Sequence, residues 1–286
     1  MRIRALVFGT TGTGKTSLCN VLTGSNARPA DNGPLGVTSK AHLYRPFQHG
    51  SHSIELIDTV GLHESVHGTI PPEQAMQQLL DLLCKSKDGY NVLIHVTKAG
   101  RITEHHDQDH TFFVEKLTQR QVPVILAITG CENDDPMSSW LDRHGSAFAR
   151  FGYQAKVPTC FASGGALESH YAALRSASRS DLLGAIAAVA LPAPYLLYGQ
   201  SSASTMKSVL FRLWNDAVDV FGLPAKWRSQ VNESAWDLMQ RIGVPRKVME
   251  MMVAHLPDVM AELGGKLPIP GGSALLRKFT DALLRK

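Results

Sequence analysis

Apolar residues before about residue 195 come in two rhythms. Short runs read as strands: "IRALVF" is buried, "YNVLIHVT" and "VPVILAIT" are nearly continuous and covered on both faces, and "KVPTCFAS" adds another. Between them lie stretches with apolar residues three or four apart, which predict helices. These are "TSLCNVLTG", closed by Gly24, then "PPEQAMQQLLDLLCKS", "EHHDQDHTFFVEKLTQR" and "SDLLGAIAAVA", the last with Ser180 as its N-cap. "AHLYRPF" and "HSIELID" flank the turn residues "QHGS" and predict an antiparallel hairpin. Residues 25–40 form a long polar loop. The alternation predicts an α/β fold, a mostly parallel sheet with helices on both faces.

From residue 196 the pattern changes. "GQSSASTMKS" reads as a linker, and four segments with helical spacing follow: "SVLFRLWNDAVDVFG", "NESAWDLMQRIG", "PRKVMEMMVAHL" and "SALLRKFTDALLRK". The predicted organisation is a sheet domain over 1–195 and a helical C-terminal extension over 196–286. In the last segment Leu275, Leu276, Phe279, Leu283 and Leu284 gather on one side, ringed by Arg277, Lys278, Arg285 and Lys286. That distribution suits a helix lying on a membrane surface and equally a helix packed on the first domain. The most apolar window, "LLGAIAAVALPAPYLLY", is interrupted by Pro192 and Pro194 and reads as a core helix followed by a turn.

Charge adds one detail. The formal net charge of the 286 residues is +4, and residues 201–286 account for it, with 12 Lys and Arg against 8 Asp and Glu. The excess is too mild to argue for nucleic acid but permits an anionic surface as partner of the tail. Cys19, Cys84, Cys131 and Cys160 show no paired spacing, and "MRIRALVFG" has no signal-peptide architecture. Free thiols in a reducing compartment are expected, placing the chain in the cytoplasm, with peripheral membrane attachment left open.

Chemistry is concentrated where the first strand ends. Gly9-Thr10-Thr11-Gly12-Thr13-Gly14-Lys15-Thr16 satisfies GxxxxGK[ST] between a strand and a helix. Glycines let backbone N–H groups converge on phosphate, and the helix adds its unpaired amides and positive dipole end. Thr11, Gly12, Thr13, Gly14, Lys15, Thr16 and Ser17 are the expected nucleotide contacts, with Lys15 on the β- and γ-phosphates and the Thr16 hydroxyl on Mg²⁺. "IELIDTVGL" places Asp58 at a strand end and Gly61 three residues on, so the carboxylate reaches Mg²⁺ through water and the Gly61 amide meets the γ-phosphate. Within "LGVTSK", Thr38 is the expected third oxygen on the metal when triphosphate is bound.

These motifs, together with "VTKAGRITEHHDQD", resemble the septin-related GTPases, closest to the immunity-associated GIMAP type and similar to the Toc import receptors. The stretch Gly100-Arg101-Ile102-Thr103 matches one that follows the fourth strand in that family. The resemblance covers about residues 1–190. It implies a P-loop G domain binding GTP or GDP with Mg²⁺, dimerisation across the nucleotide face, and membrane association.

The base-reading segment departs from that family. Instead of N/T-K-x-D the fifth strand ends Thr129-Gly130-Cys131-Glu132-Asn133-Asp134. Glu132 holds the carboxylate position, one methylene longer than Asp, while Gly130 removes the lysine stem that would cover the base. Thr129 and Ser163 are the remaining expected contacts. Leu62 stands where Ras-like proteins carry the glutamine that orients water, which leaves His63 or Arg101 as catalytic candidates and predicts slow hydrolysis. In "EHHDQDH", His106 and His110 lie one helical turn apart. With no companion cysteine and no HExxH pattern, this reads as a solvated face rather than a metal site. The sequence thus predicts a GTP-hydrolysing switch. Its rivals are a nucleotide-gated scaffold with negligible turnover and, further off, a P-loop kinase.

Overall fold

The computed structural model describes residues 1–24, 41–59, 88–162, 167–197 and 203–222, together with Leu79, Leu82, Lys85 and Ser86. In chain order the elements are β1 (Arg2–Phe8), α1 (Lys15–Thr23), β2 (His42–Leu43), β3 (Phe47–His49), β4 (His52–Asp58) and β5 (Val92–Lys98). Then follow α2 (Glu104–His110), which continues as a π-helix over Thr111–Leu117, β6 (Val124–Thr129), α3 (Ser138–His144) and β7 (Ala155–Pro158). α4 (Glu168–Val189) and α5 (Ala203–Val220) complete the series.

The strands form a seven-stranded sheet in the order β2-β4-β1-β5-β6-β7, with β3 also paired to β4. β4, β1, β5, β6 and β7 are parallel, so their carboxyl ends share one edge. β2 and β3 run antiparallel to β4 and supply the expected hairpin, split in two around Pro46, which cannot donate to a ladder. Strand side chains alternate between two buried faces. Ile3, Ala5 and Val7 pack with Leu18 and Leu22 of α1 and Leu182, Leu183 and Ile186 of α4. Leu6 and Phe8 face the opposite layer, with Phe112, Phe113 and Leu117.

Two expectations about helices change. α4 begins twelve residues before Ser180, with Leu167 at its N-cap, so Ser180 is an exposed interior residue and caps nothing. The first half of α4 is mostly solvent-facing and carries no apolar period, so only its buried second half is visible as a pattern. α5 lies within the stretch read as an extension, yet Leu213, Trp214, Ala217, Val218 and Phe221 join the same buried cluster as Phe112 and Leu93. Its packing against the π-helix makes this first helix part of the sheet domain's core. Of the helix expected around residues 71–86, Leu79, Leu82, Lys85 and Ser86 are described, and the two leucines are buried in that cluster. The later tail segments lie outside the described residues. No helix among the described residues is long and apolar enough to cross a membrane.

Candidate functional site at the carboxyl edge of the sheet

The loop between β1 and α1 is built by glycine geometry. Gly9 has φ +140°, and a Cβ there would lie 2.2 Å from the Val96 carbonyl oxygen, so only glycine lets the chain leave β1 this close to β5. Gly12 and Gly14 also have positive φ, and Gly14 precedes α1. No side chain caps the start of α1, and a helix N-terminus after a glycine loop is where phosphate binds.

Lys15 is buried, and its Nζ donates to the carbonyls of Gly9 at 2.7 Å and Thr10 at 3.1 Å. The loop is thus folded around an ammonium, and a phosphate entering it meets that charge directly. Thr13 closes the curl, its hydroxyl donating to Thr10 O at 2.8 Å. Thr11 and Gly12 form the exposed tip, while Ser17 sits half-buried in the first turn of α1.

Parallel pairing of Val7 with Asp58 brings the end of β4 beside the loop. The Thr16 hydroxyl donates to Asp58 Oδ2 at 2.9 Å, and Asp58 is fully buried. Two oxygen ligands of hard-cation type thus stand adjacent at the phosphate end, so the residues present fit Mg²⁺. When bound, the ion neutralises phosphate charge as it develops. Thr38, Gly61, His63 and Ser163 lie outside the described residues.

The other side of the site is set by β6. Thr129, an expected nucleotide contact, donates its hydroxyl to Thr13 O at 2.8 Å and to Thr97 O at 3.2 Å. It acts as a brace between sheet and loop. Beyond it, Gly130 has φ +81° and Glu132 lies in a short 3₁₀ turn, Cys131–Asn133. Glu132 Oε2 is buried without a hydrogen-bond partner among the described residues, whereas Asp134 is ion-paired with Arg143. Arg101 is exposed in the segment between β5 and α2, after the same edge of the sheet.

The histidines of α2 overturn their reading as a solvated face. His106 and His110 are each 3% exposed. The His106 ring stacks on His95 at 4.2 Å between centroids, and the Tyr153 hydroxyl bridges His95 Nδ1 (2.8 Å) and His106 Nε2 (2.9 Å). His110 Nε2 donates to Phe151 O at 3.0 Å. Phe148, Phe151 and Tyr153, brought in before β7, roof the cluster. A period built from His, Gln and Asp gives no apolar signal, so this burial was not legible. Among the described residues no group of three or more His, Cys, Asp or Glu is arranged to hold a metal ion.

Burial drives the His106 pKa down to about 4, against a smaller opposing pull from Asp109. The folded protein holds the ring neutral while the unfolded chain, near 6.5, takes a proton first. Stability is therefore lost as the pH falls from roughly 6.5 toward 4, by on the order of 3 kcal/mol for this group. His110 is lowered in the same direction by burial. Urea titrations across that range should show His106→Phe with a shallower decline than wild type, whatever its stability at neutral pH. Parallel declines would show that other groups carry the acid sensitivity.

One contact escaped the sequence reading. Thr10 Oγ1 donates to Asp109 Oδ2 at 3.0 Å, and Asp109 is fully buried, so α2 braces the phosphate loop from behind. An acidic residue in a helix that otherwise looked solvated gave no sign of it.

Comparison with known proteins agrees with this geometry. Residues 4–130 match the family described as 50S ribosome-binding GTPase. Immune-associated nucleotide-binding protein 10 of Arabidopsis thaliana is 29% identical over 103 residues, which is 36% of this chain and 22% of that protein, about a fifth of its length. Among solved structures, Era in complex with MgGDPNP and nucleotides 1506–1542 of 16S ribosomal RNA is 19% identical. That match covers 66% of this chain and 57% of that one, at a TM-score of 0.47. The chloroplast translocon components atToc33 and psToc159 are represented by a structure 17% identical, covering 63% and 84% of the respective chains, at a TM-score of 0.42. Over residues 4–130 the family match agrees with the P-loop and mostly parallel sheet of a GTPase-type fold.

Proposed function

We propose that the chain is a guanine-nucleotide switch that binds Mg-GTP, hydrolyses it slowly, and is accelerated by a second copy or another partner. The observation that carries this reading is the hydrogen bond from Thr16 to Asp58 beside the enclosed Lys15. It joins the phosphate loop to the strand whose following segment, Asp58 to Gly61, has the spacing of a γ-phosphate sensor. Within the GTPases, Gly100-Arg101-Ile102-Thr103 and the similarity to an immune-associated relative support the immunity-associated type. Leu62 in place of a water-orienting glutamine supports a slow intrinsic rate, and it equally favours the second reading, a scaffold gated by nucleotide. A cytoplasmic location with the last helix on a membrane surface belongs to the same proposal.

Guanine selection falls to Glu132. Its Oε2 has no hydrogen-bond partner among the described residues, which leaves it to accept from the N1–H and N2–H₂ donors of guanine, while the neighbouring Asp134 is engaged by Arg143. Glu132→Ala should weaken GDP by about 1.5–3 kcal/mol, the scale of a hydrogen bond to a charged group, and leave ADP unchanged. Titration of labelled GDP into Glu132→Ala and Asp134→Ala decides the matter. Loss in the Asp134 variant alone would move the base reader two residues along.

A further inference from the structure

Gly130 leaves a gap in the base-binding region, and a residue from the neighbouring strand fills it. A Cβ built on Gly130 would lie 3.5 Å from Lys98 Cγ and 3.7 Å from Lys98 Cε. Two carbons separated along the stem are nearly equidistant from that point, so the Lys98 side chain runs across Gly130 rather than away from it. Gly130 itself, at φ +81°, is strained for any residue with a side chain. The position cannot readily carry its own cover.

The Lys98 backbone is fixed where this matters. It pairs with Thr129 across β5 and β6, and Ala99 N donates to Thr129 O at 2.7 Å. Thr129 is in turn bonded to Thr13 of the phosphate loop. No described residue pairs with the exposed Lys98 ammonium, and Glu132 Oε2 is likewise unpartnered. A cation and a carboxylate thus flank Gly130 without neutralising each other, on the side of the loop away from Asp58.

We infer that Lys98 is a base-binding residue of the nucleotide subsite, its stem lying on the purine face and its ammonium over the ring. This rests on the guanine-nucleotide reading above. A purine whose edge meets Glu132 has to lie beside Gly130, and the lysine from β5 is the wall it meets there. The alkyl stem contributes dispersion contact, and the ammonium is attracted to the electron-rich face of the ring.

The test compares wild type, Lys98→Ala and Lys98→Met, using fluorescent GDP and, as a competitor without a base, inorganic tripolyphosphate. Lys98→Ala should bind GDP about three- to thirtyfold more weakly. Lys98→Met, which keeps a stem without the charge, should fall between. The concentration of tripolyphosphate needed to occupy the loop should be the same in all three. Equal GDP affinity in wild type and Lys98→Ala would overturn the inference and leave the guanine reading standing. An equal loss for tripolyphosphate would also overturn it, by placing the ammonium on phosphate instead of the base. A wild-type protein that binds tripolyphosphate but not GDP would remove the underlying reading, and this inference with it.

Discussion

Lys15→Ala is expected to weaken both Mg-GDP and Mg-GTP by about 10²–10⁴-fold, the loss of two charge-assisted hydrogen bonds to phosphate. The same ammonium holds the carbonyls of Gly9 and Thr10 in the free protein, so the loop is expected to loosen as well. The rest of the molecule should stay folded. Val7, Leu18 and Leu22 keep the strand and helix on either side of the loop in one buried cluster, independently of that charge. Calorimetric titration paired with a thermal melt separates the two effects. A variant that melts like wild type and binds nucleotide like wild type would remove the phosphate-loop assignment.

The second large effect concerns hydrolysis. Leu62 cannot orient a water, so efficient turnover has to borrow a group, and Arg101 stands exposed past the same edge of the sheet as the phosphate loop. An arginine supplied in trans is worth roughly 10³–10⁵ in rate in GTPases. Specific GTPase activity should rise with protein concentration, and Arg101→Ala should flatten that rise without changing nucleotide affinity. Phosphate release followed over a wide dilution series, with sedimentation in a non-hydrolysable analogue, checks both halves. Constant specific activity from a monomer at every concentration would reject self-activation and leave an external partner as the source of the missing group.

How much of this was legible in the chain depends on what each element buries. Strands such as β1 and β6 are apolar on both faces, so "IRALVF" and "VPVILAIT" announced them directly. The phosphate loop was legible because glycine spacing is a backbone requirement: the positive φ values of Gly9, Gly12 and Gly14 leave few alternatives. Asp58 was legible from its place at the end of an apolar strand with Gly61 three residues on, and the parallel register with β1 sets it beside the loop. The polar interior was not. His95, His106 and Tyr153 satisfy one another by stacking and hydrogen bonding across elements far apart in sequence, and no local pattern encodes that pairing. The Lys98 stem lies over Gly130 for a similar reason, because the register of two strands decides it. α5 was legible as a helix but not as a member of the core, since an amphipathic face does not name its partner.

The central claim, that this site holds a guanine nucleotide with Mg²⁺, is tested most directly by competition on the wild-type protein. Labelled GDP bound in the presence of Mg²⁺ is challenged in turn with unlabelled GDP and unlabelled ADP. The account predicts displacement by GDP at concentrations at least tenfold below those needed for ADP, with binding weakened when Mg²⁺ is chelated, the tenfold gap corresponding to roughly 1.4 kcal/mol of base discrimination. Displacement by ADP as readily as by GDP would contradict it.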